Sequence, residues 1–223
     1  MDNKNTVNHN KFWNEYDWYR DGDEWDDQAE FCNQPYEIWK QSLIDFFLKD
    51  NFNNQNILEI GCGHGRWSES LIELSRTAHL VDLNESCVEF CKNKFKNSNN
   101  CTFYKNKGNS LDFMSSNSID AIWSYDTFVH IDEETFISYL NEFKRVLKES
   151  GVAIIHYSRG SVTGSTPDGG NYVQRSKFTA EKFLEMVDRA DFKIEYQKQS
   201  WGNDNEFNCK LFNDYIAKIV NKI

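Results

Sequence analysis

Three glycines at alternate positions follow a short apolar run near residue 60. The segment reads ILEIGCGHGRW from Ile57 to Trp67, and its glycines are Gly61, Gly63 and Gly65. The chain has only 11 glycines in 223 residues, so three of them within five positions require a structural reason. Glycine adopts positive φ and has no Cβ atom, which lets the backbone bend sharply and lets a ligand approach it closely. The pattern predicts a strand that runs into a ligand-binding loop.

Segments typical of strands and of helices alternate along the chain from Pro35 onward. The apolar runs NILEI, AHLVDL, CTFYK, IDAIWSY and GVAIIHYS predict five strands. Amphipathic helices are predicted from Pro35, from Arg66 to Leu74, from Asn84 to Phe95, from Asp132 to the Ser150–Gly151 pair and from Thr179 to Ala190. Two closing strands are predicted around Lys193–Trp201 and Asn208–Ala217, with a WGNDNE turn between them. This order predicts an α/β fold, a doubly wound and mostly parallel sheet with helices on both faces.

Two segments do not fit this alternation. Residues 1–34 are polar and acidic with aromatic residues interleaved, unlike a strand or a regular helix, and we interpret them as an N-terminal cap over a binding site, the alternative being a partner-binding surface. Residues 35–223 are predicted to form one domain. Residues 159–177 are rich in Gly, Ser and Thr and predict a long loop that serves as a lid. The aromatic residues of the cap are Trp13, Tyr16, Trp18, Tyr19 and Trp25.

Composition excludes several classes of function. The net charge is −10, and no cluster of Lys and Arg is present, so neither nucleic acid nor an anionic membrane surface is an expected partner. No apolar stretch approaches 18 residues and the first residues lack an apolar core, which argues against a spanning helix or a signal peptide and for a cytoplasmic location. The six cysteines show neither a C-x-x-C pair nor zinc-finger spacing, so reduced thiols and no metal site are expected.

Two acidic residues flank the glycine loop and indicate the charge of its ligand. Asp82 ends the predicted second strand, 21 residues after Gly61, where a carboxylate can accept hydrogen bonds from a ribose diol. The alternative, a helix-capping Asp82, is weaker because Asn84 is the better-placed cap. Glu59, just before the loop, would repel a phosphate and favours a cation. The spacing G-x-G-x-G, with Arg66 at the sixth position, also differs from the dinucleotide fingerprint of nicotinamide-dependent reductases. A ligand with a ribose, an ammonium and a sulfonium fits best.

These features together resemble the class I S-adenosylmethionine-dependent methyltransferases. The resemblance rests on E-I-G-C-G-H-G, on Asp82, on G-N-S at 108–110 and on L-K-E-S-G at 147–151, and it covers about residues 35–217. It implies a seven-stranded Rossmann-like sheet and S-adenosylmethionine as the methyl donor. It also implies a cofactor site made of Glu59, Gly61, Cys62 and Gly63 at the methionine end, Asp82 at the ribose, Leu83, Asn109 and Ser110 at the adenine, and Tyr125. Many relatives carry Asp at the position of Asn109, whose carbonyl oxygen can still accept from the adenine amine.

Candidate catalytic residues follow the fourth and fifth strands, in SYDTFVHI and IIHYSRG. His130 is the leading general base, because an imidazole titrates near neutral pH, and the alternative is a histidine that orders the loop. His156 is a second candidate or a core histidine, and Asp126 is catalytic, substrate-binding or structural. Three further residues are predicted to contact the acceptor, with a solvated charge or a core role as alternatives: Tyr157, Arg175 and Trp201.

The sequence thus predicts methyl transfer to a small polar acceptor, a hydroxyl of a sugar or of a phosphorylated metabolite. This matches a loose similarity to the small-molecule methyltransferases of sugar and surface-polysaccharide biosynthesis. The alternatives are an N-methyltransferase and a non-catalytic, cofactor-binding partner subunit. A homodimer is one expected oligomeric state.

Overall fold

The structure, a computed structural model, describes residues 26–159, 175–176 and 178–222. The aromatic residues of the predicted cap and residues 160–174 of the predicted lid lie outside this range. Within the segment that was expected to lack a regular helix, Asp26–Phe31 forms helix α1. Its Ala29 is buried in the core, so packing against the domain stabilises a helix that the polar sequence does not indicate.

The helices and strands of the described residues follow the predicted alternation. The helices are α1 (Asp26–Phe31), α2 (Tyr36–Leu43), α3 (Lys49–Phe52), α4 (Ser68–Leu74), α5 (Glu85–Lys94), α6 (Glu133–Val146) and α7 (Ala180–Arg189), and a π-helical turn (Ile44–Leu48) joins α2 to α3. The strands are β1 (Asn56–Ile60), β2 (Thr77–Asp82), β3 (Cys101–Lys105), β4 (Ile119–Ser124), β5 (Leu147–Ser158), β6 (Phe192–Lys198), β7 (Ser200–Trp201), β8 (Phe207–Asn208) and β9 (Asp214–Asn221).

Seven of these strands form one mostly parallel sheet, which confirms the predicted fold. The strand order is β3-β2-β1-β4-β5-β9-β6. Strands β3, β2, β1, β4 and β5 are parallel to one another. Strand β9 is antiparallel to both β5 and β6. The order reverses between β1 and β4, and ligands of such sheets bind beyond the carboxyl ends of the strands at that point.

The sheet is buried on both faces by two hydrophobic clusters. Consecutive residues of β1 alternate between them: Ile57 contributes to the cluster under α2, α4 and α5, and Leu58 to the cluster under α6 and α7. Both side chains are fully buried. This double burial explains why the central strands are nearly continuous apolar runs instead of alternating patterns.

The predicted closing strands are wrong in detail. Phe207–Asn208 pairs with Ser200–Trp201 in a separate two-stranded sheet, so the WGNDNE turn closes this small hairpin and not the hairpin of the main sheet. The last strand begins at Asp214 instead of Asn208, because a 3₁₀ turn (Lys210–Phe212) and the left-handed Asn213 intervene. A left-handed residue ends a helical turn and redirects the chain.

The predicted end of α6 is also wrong. The helix stops at Val146, not at the Ser150–Gly151 pair, and Leu147 is already extended. The amides of Asn117 and Ser118 bind the carbonyls of Arg145 and Val146, so backbone groups from another loop satisfy the final helical turn. Such a tertiary cap leaves no local pattern in the helix sequence.

Trp201 of the small hairpin lies in the core. It is 1% exposed, its indole nitrogen donates to the hydroxyl of Ser42 on α2 at 2.8 Å, and its ring packs edge-on against Phe47 with the ring centroids 5.4 Å apart. This packing ties the hairpin to the helical layer and favours the core alternative for Trp201 over a wall of an acceptor pocket.

No helix within the described ranges combines the length and the apolar character needed to cross a bilayer.

Trp201→Ala should lower the free energy of unfolding by about 3–5 kcal/mol, because a large buried aromatic leaves a cavity, and should leave cofactor affinity unchanged. Urea denaturation and calorimetry measure the two quantities. Leu184→Ala is the control, since Leu184 is 47% exposed and its loss should cost at most about 0.5 kcal/mol. A stable Trp201→Ala protein would contradict the core assignment.

Candidate active site

The glycine loop lies between β1 and α4 and depends on its glycines for two reasons. Gly61, Gly63 and Gly65 have φ of +77°, +51° and +78°, values that other residues rarely adopt. In addition, a Cβ atom on Gly61 would overlap the side chain of Thr127, and one on Gly65 would lie 2.7 Å from the ring of Phe95. The glycines therefore keep the main chain close to its neighbours at the carboxyl edge of the sheet.

Asp82 joins this loop to the end of β2. Its Oδ2 accepts from the amide of Gly63 at 2.9 Å and its Oδ1 from the amide of Asn84 at 2.8 Å. Burial raises the pKa of Asp82, against the opposing effect of these N–H donors. The amide of Leu83 is a third donor to this carboxylate. A carboxylate has about four lone-pair positions, so about one remains for a hydroxyl of a ribose. Asn84 occupies the predicted cap position of α5, but its side chain makes no capping hydrogen bond. The predicted position is therefore correct and the predicted side-chain cap is wrong.

Glu59 is a buried carboxyl group in β1, two residues before the glycine loop. It is 1% exposed, and the hydroxyl of Ser68 donates to its Oε2 at 2.5 Å. Burial raises the pKa of Glu59 to about 8, and the nearby charge of Asp82 adds to this. An ionised Glu59 therefore lacks full compensation within the described residues. A cationic ligand would supply it, which fits an ammonium and a sulfonium better than a phosphate.

The loop after β3 is organised by a residue that sequence reasoning missed. Asn106 is buried, its Oδ1 accepts from the amide of Gly108 at 3.0 Å, and its Nδ2 donates to the hydroxyl of Tyr139 at 2.7 Å. Asn109 itself is exposed and Ser110 half-buried, so both remain accessible at this edge. The signal available in the sequence was only an asparagine directly after a strand.

Asp126 and His156 meet at the ends of β4 and β5. The amide of Asp126 donates to Nδ1 of His156 at 3.1 Å, so Nδ1 is unprotonated and the proton resides on Nε2. That Nε2 lies 3.3 Å from Oδ2 of Asp214. The ring is fully buried and stacks on Tyr125 with the centroids 4.1 Å apart. Both nitrogens of His156 face protein groups, which favours a structural role over that of a base.

Arg175 completes this polar cluster. Its Nη1 lies 2.6 Å from Oδ2 of Asp214, its Nη2 lies 3.9 Å from Oδ1 of Asp126, and the guanidinium stacks on Phe212, 4.2 Å from the centroid. The charge of Arg175 is thus matched by two carboxylates, and its side chain is only 7% exposed. Asp214 is the second residue that sequence reasoning missed, because it begins a strand far along the chain.

His130 lies beside the carboxylate of Asp126. Its Nε2 is 3.9 Å from Oδ2 of Asp126, and the two side chains are 9% and 14% exposed. Burial raises the pKa of Asp126, but His130 and Arg175 outweigh this effect and the pKa is lowered. Asp126 is therefore ionised at neutral pH. It also adopts a left-handed conformation with φ of +61°, which is uncommon for a residue other than glycine.

Two of the predicted acceptor-binding residues are not brought to this cluster. Tyr157 lies on the opposite face of β5 from His156, where it stacks on Phe183 of α7 with the centroids 3.7 Å apart and donates to Gln197 at 3.0 Å. Trp201 lies in the core, as described above. The structure therefore brings together Asp126, His130, His156 and Arg175. In the described part of the chain, no group of three or more metal-ligating side chains is found.

Comparisons with known proteins found one matching family model and many similar structures. Residues 57–151 match the model of a methyltransferase domain, whereas no curated protein matches the chain. A Clostridium acetobutylicum S-adenosylmethionine-dependent methyltransferase has a similar structure, with a TM-score of 0.70, 16% identity, and coverage of 92% of this chain and 100% of the other.

Two further solved structures are similar. One is phosphoethanolamine N-methyltransferase 1 of Haemonchus contortus, in complex with phosphoethanolamine and S-adenosylhomocysteine, with a TM-score of 0.72, 16% identity, and coverage of 100% of this chain and 50% of the other. The other is a complex of the Haloferax volcanii Trm112 methyltransferase activator with the putative methyltransferase, with a TM-score of 0.65, 12% identity, and coverage of 90% and 97%.

Asp82→Ala should weaken S-adenosylmethionine binding by about 1.5–3 kcal/mol, because a charge-assisted pair to the ribose is lost. Calorimetry at constant pH measures the affinity. Asp112→Ala is the control, since Asp112 is exposed in the loop before β4. Unchanged affinity of the Asp82 variant would remove this residue from the ribose role.

The stability of the unliganded protein should fall as pH rises from about 5 to about 8, relative to that of Glu59→Gln. The pKa of Glu59 is raised on folding, so the folded state binds the proton more tightly and loses this advantage as pH passes through the folded pKa. The slope is at most about 1.4 kcal/mol per pH unit. Denaturant titrations at several pH values measure it, with the exposed Glu69 changed to Gln as the control. Parallel pH profiles of wild type and Glu59→Gln would contradict the prediction.

Proposed function

We propose that this chain, whose matched domain and fold are those of class I S-adenosylmethionine-dependent methyltransferases, transfers the methyl group of that cofactor to a hydroxyl of a small polar acceptor, with His130 as the general base. The observation that carries this proposal is the Asp126–His130 pair. It lies at the carboxyl end of β4, next in the sheet to β1 and its glycine loop.

The cofactor side of the proposal rests on residues that fit a sulfonium nucleoside. Glu59 offers a buried carboxyl group that a cation would stabilise in its ionised form, and Asp82 offers a free lone pair beside the glycine loop. The bound cofactor supplies an activated methyl group on a positively charged sulfur. The roles of Gly61, Gly63 and the adenine-facing Leu83 are part of the same proposal.

Near the acceptor, one residue would act as the base and the others would position it. His130 would take the hydroxyl proton as the acceptor oxygen attacks, because an imidazole can gain a proton at neutral pH. The ionised Asp126 would orient the ring and stabilise the imidazolium that forms. His156 and Arg175 would hold Asp126 in place. Arg175 is already paired with Asp214, so its guanidinium is not expected to bind a phosphate of the acceptor.

A second candidate, methylation of an amine, is favoured by one observation. Oδ1 of Asp214 and the hydroxyl of Ser158 are buried without a hydrogen-bond partner among the described residues. Two carboxylates near one guanidinium favour an acceptor rich in donors, such as an ammonium, over an anionic one. The Haemonchus contortus protein is an N-methyltransferase by name. A non-catalytic partner subunit is the remaining alternative, and turnover by the isolated chain would exclude it.

The acceptor class can be determined with matched pools of sugars and nucleotide sugars, phosphorylated metabolites and primary amines. Each pool is incubated with the protein and S-adenosylmethionine, and release of S-adenosylhomocysteine is measured. Turnover confined to hydroxyl compounds supports the first candidate, and turnover confined to amines supports the second. Cofactor binding without turnover in any pool would contradict both.

His130→Gln should reduce kcat by about 10- to 100-fold without abolishing turnover, because the activated methyl group lowers the demand for a base. It should also remove the pH dependence that His130 contributes, while cofactor affinity stays constant. His79→Gln is the matched control, since His79 lies on β2 with its Nδ1 3.3 Å from the hydroxyl of Tyr104. An unaltered kcat in His130→Gln would exclude His130 as the base.

A further inference from the structure

Ser176 lies within hydrogen-bond distance of three backbone carbonyl groups around His130, and the single proton of its hydroxyl is shared between two of them. Its amide donates to the carbonyl of Val129 at 2.6 Å. Its hydroxyl lies 2.9 Å from the carbonyl oxygen of Phe128 and 2.8 Å from that of Ile131. The side chain is buried, with an exposed fraction of 5%. One serine thus holds the backbone on both sides of the proposed base.

Arg175, the preceding residue, holds the other member of the pair. Its guanidinium lies between Asp214 and Asp126. We call these two residues the 175–176 clip. The clip belongs to the segment before α7. It contacts the loop between β4 and α6 at residues 126–131, which include both members of the Asp126–His130 pair.

The loop between β4 and α6 has no regular secondary structure and contains a left-handed residue, Asp126. The amide of His130 donates to the carbonyl of Thr127 at 3.1 Å, which closes one short turn. Asp126 is left-handed and is held by the bond from its amide to His156. A loop without regular structure positions a catalytic side chain well only when surrounding groups lock its backbone.

We propose that Ser176 is a positioning residue for the methyl transfer: its hydroxyl fixes the Phe128–Ile131 backbone and thereby the place of His130 relative to Asp126. This inference rests on the proposed role of His130. The competing explanation is that packing of the buried Phe128 and Val129 holds the loop alone, in which case the hydroxyl of Ser176 has only a local structural effect.

Amide hydrogen exchange tests the first half of the proposal without any acceptor. In Ser176→Ala, the amide of His130 should exchange about tenfold faster, because the turn it closes opens more often. Amides of β1 should keep their wild-type rates. The matched control is Ser138→Ala, which removes a hydroxyl that binds the carbonyl of Glu134 on the exposed side of α6.

Steady-state kinetics test the second half, with the acceptor found in the pools described above. Ser176→Ala should lower kcat about tenfold, since small displacements of a base carry large losses in rate, and should leave KM for S-adenosylmethionine unchanged. Ser176→Thr, which retains the hydroxyl, should recover most of the rate.

Three results would overturn the inference. Unchanged exchange at His130 in Ser176→Ala would show that packing alone holds the loop. Faster exchange everywhere, β1 included, would show global destabilisation instead of positioning. Faster exchange at His130 with an unchanged kcat would show that the position of the loop backbone does not affect the rate of the reaction. Since wild-type turnover is measured in the same assay, a failure of the proposed function itself is recognised independently.

Discussion

The arrangement of strand ends at one edge of the sheet is the constraint on which the rest of the structure depends. Parallel strands bring their carboxyl ends to a common edge, so Asp82, Asp126 and His156 lie along one edge of the sheet although they are far apart in the sequence. The antiparallel β9 brings its amino end to the same edge, and with it Asp214. Both the glycine loop and the polar cluster lie at this edge because of that geometry.

The polar cluster is stable only as a complete set. Asp214 and His156 are fully buried and Arg175 nearly so, and an unpaired charge in such a place would cost several kcal/mol, about 3–5 in typical cases. Within this set the guanidinium lies beside two carboxylates, and the imidazole accepts from an amide at Nδ1 and has its Nε2 3.3 Å from a carboxylate oxygen. Such pairing makes these residues rigid, which suits groups that orient a base better than groups that exchange protons with a substrate.

Much of the fold and the position of the glycine loop were accessible from the sequence because their signals are local. The run ILEI followed by spaced glycines predicts β1 and its loop, and Asp82 lies at the end of the next apolar run. The polar cluster at the ends of β4 and β5 was less accessible, since the side chains of Asp214 and Ser176 contact partners 39 or more residues away. The misplaced end of α6 has the same origin, a cap supplied by Asn117 and Ser118. For Trp201 the sequence left both a pocket wall and a core position open, and the ring is buried in the core.

The position of β9 has a consequence for how the chain acquires its structure during synthesis. The strand lies between β5 and β6 in the sheet but follows both along the chain. During synthesis, one edge of β5 therefore remains unpaired until β9 emerges from the ribosome. Open strand edges invite pairing with other chains, and chaperone protection of the nascent protein would matter most in this interval. Since β9 also carries Asp214, the polar cluster can assemble only after this strand has been synthesised.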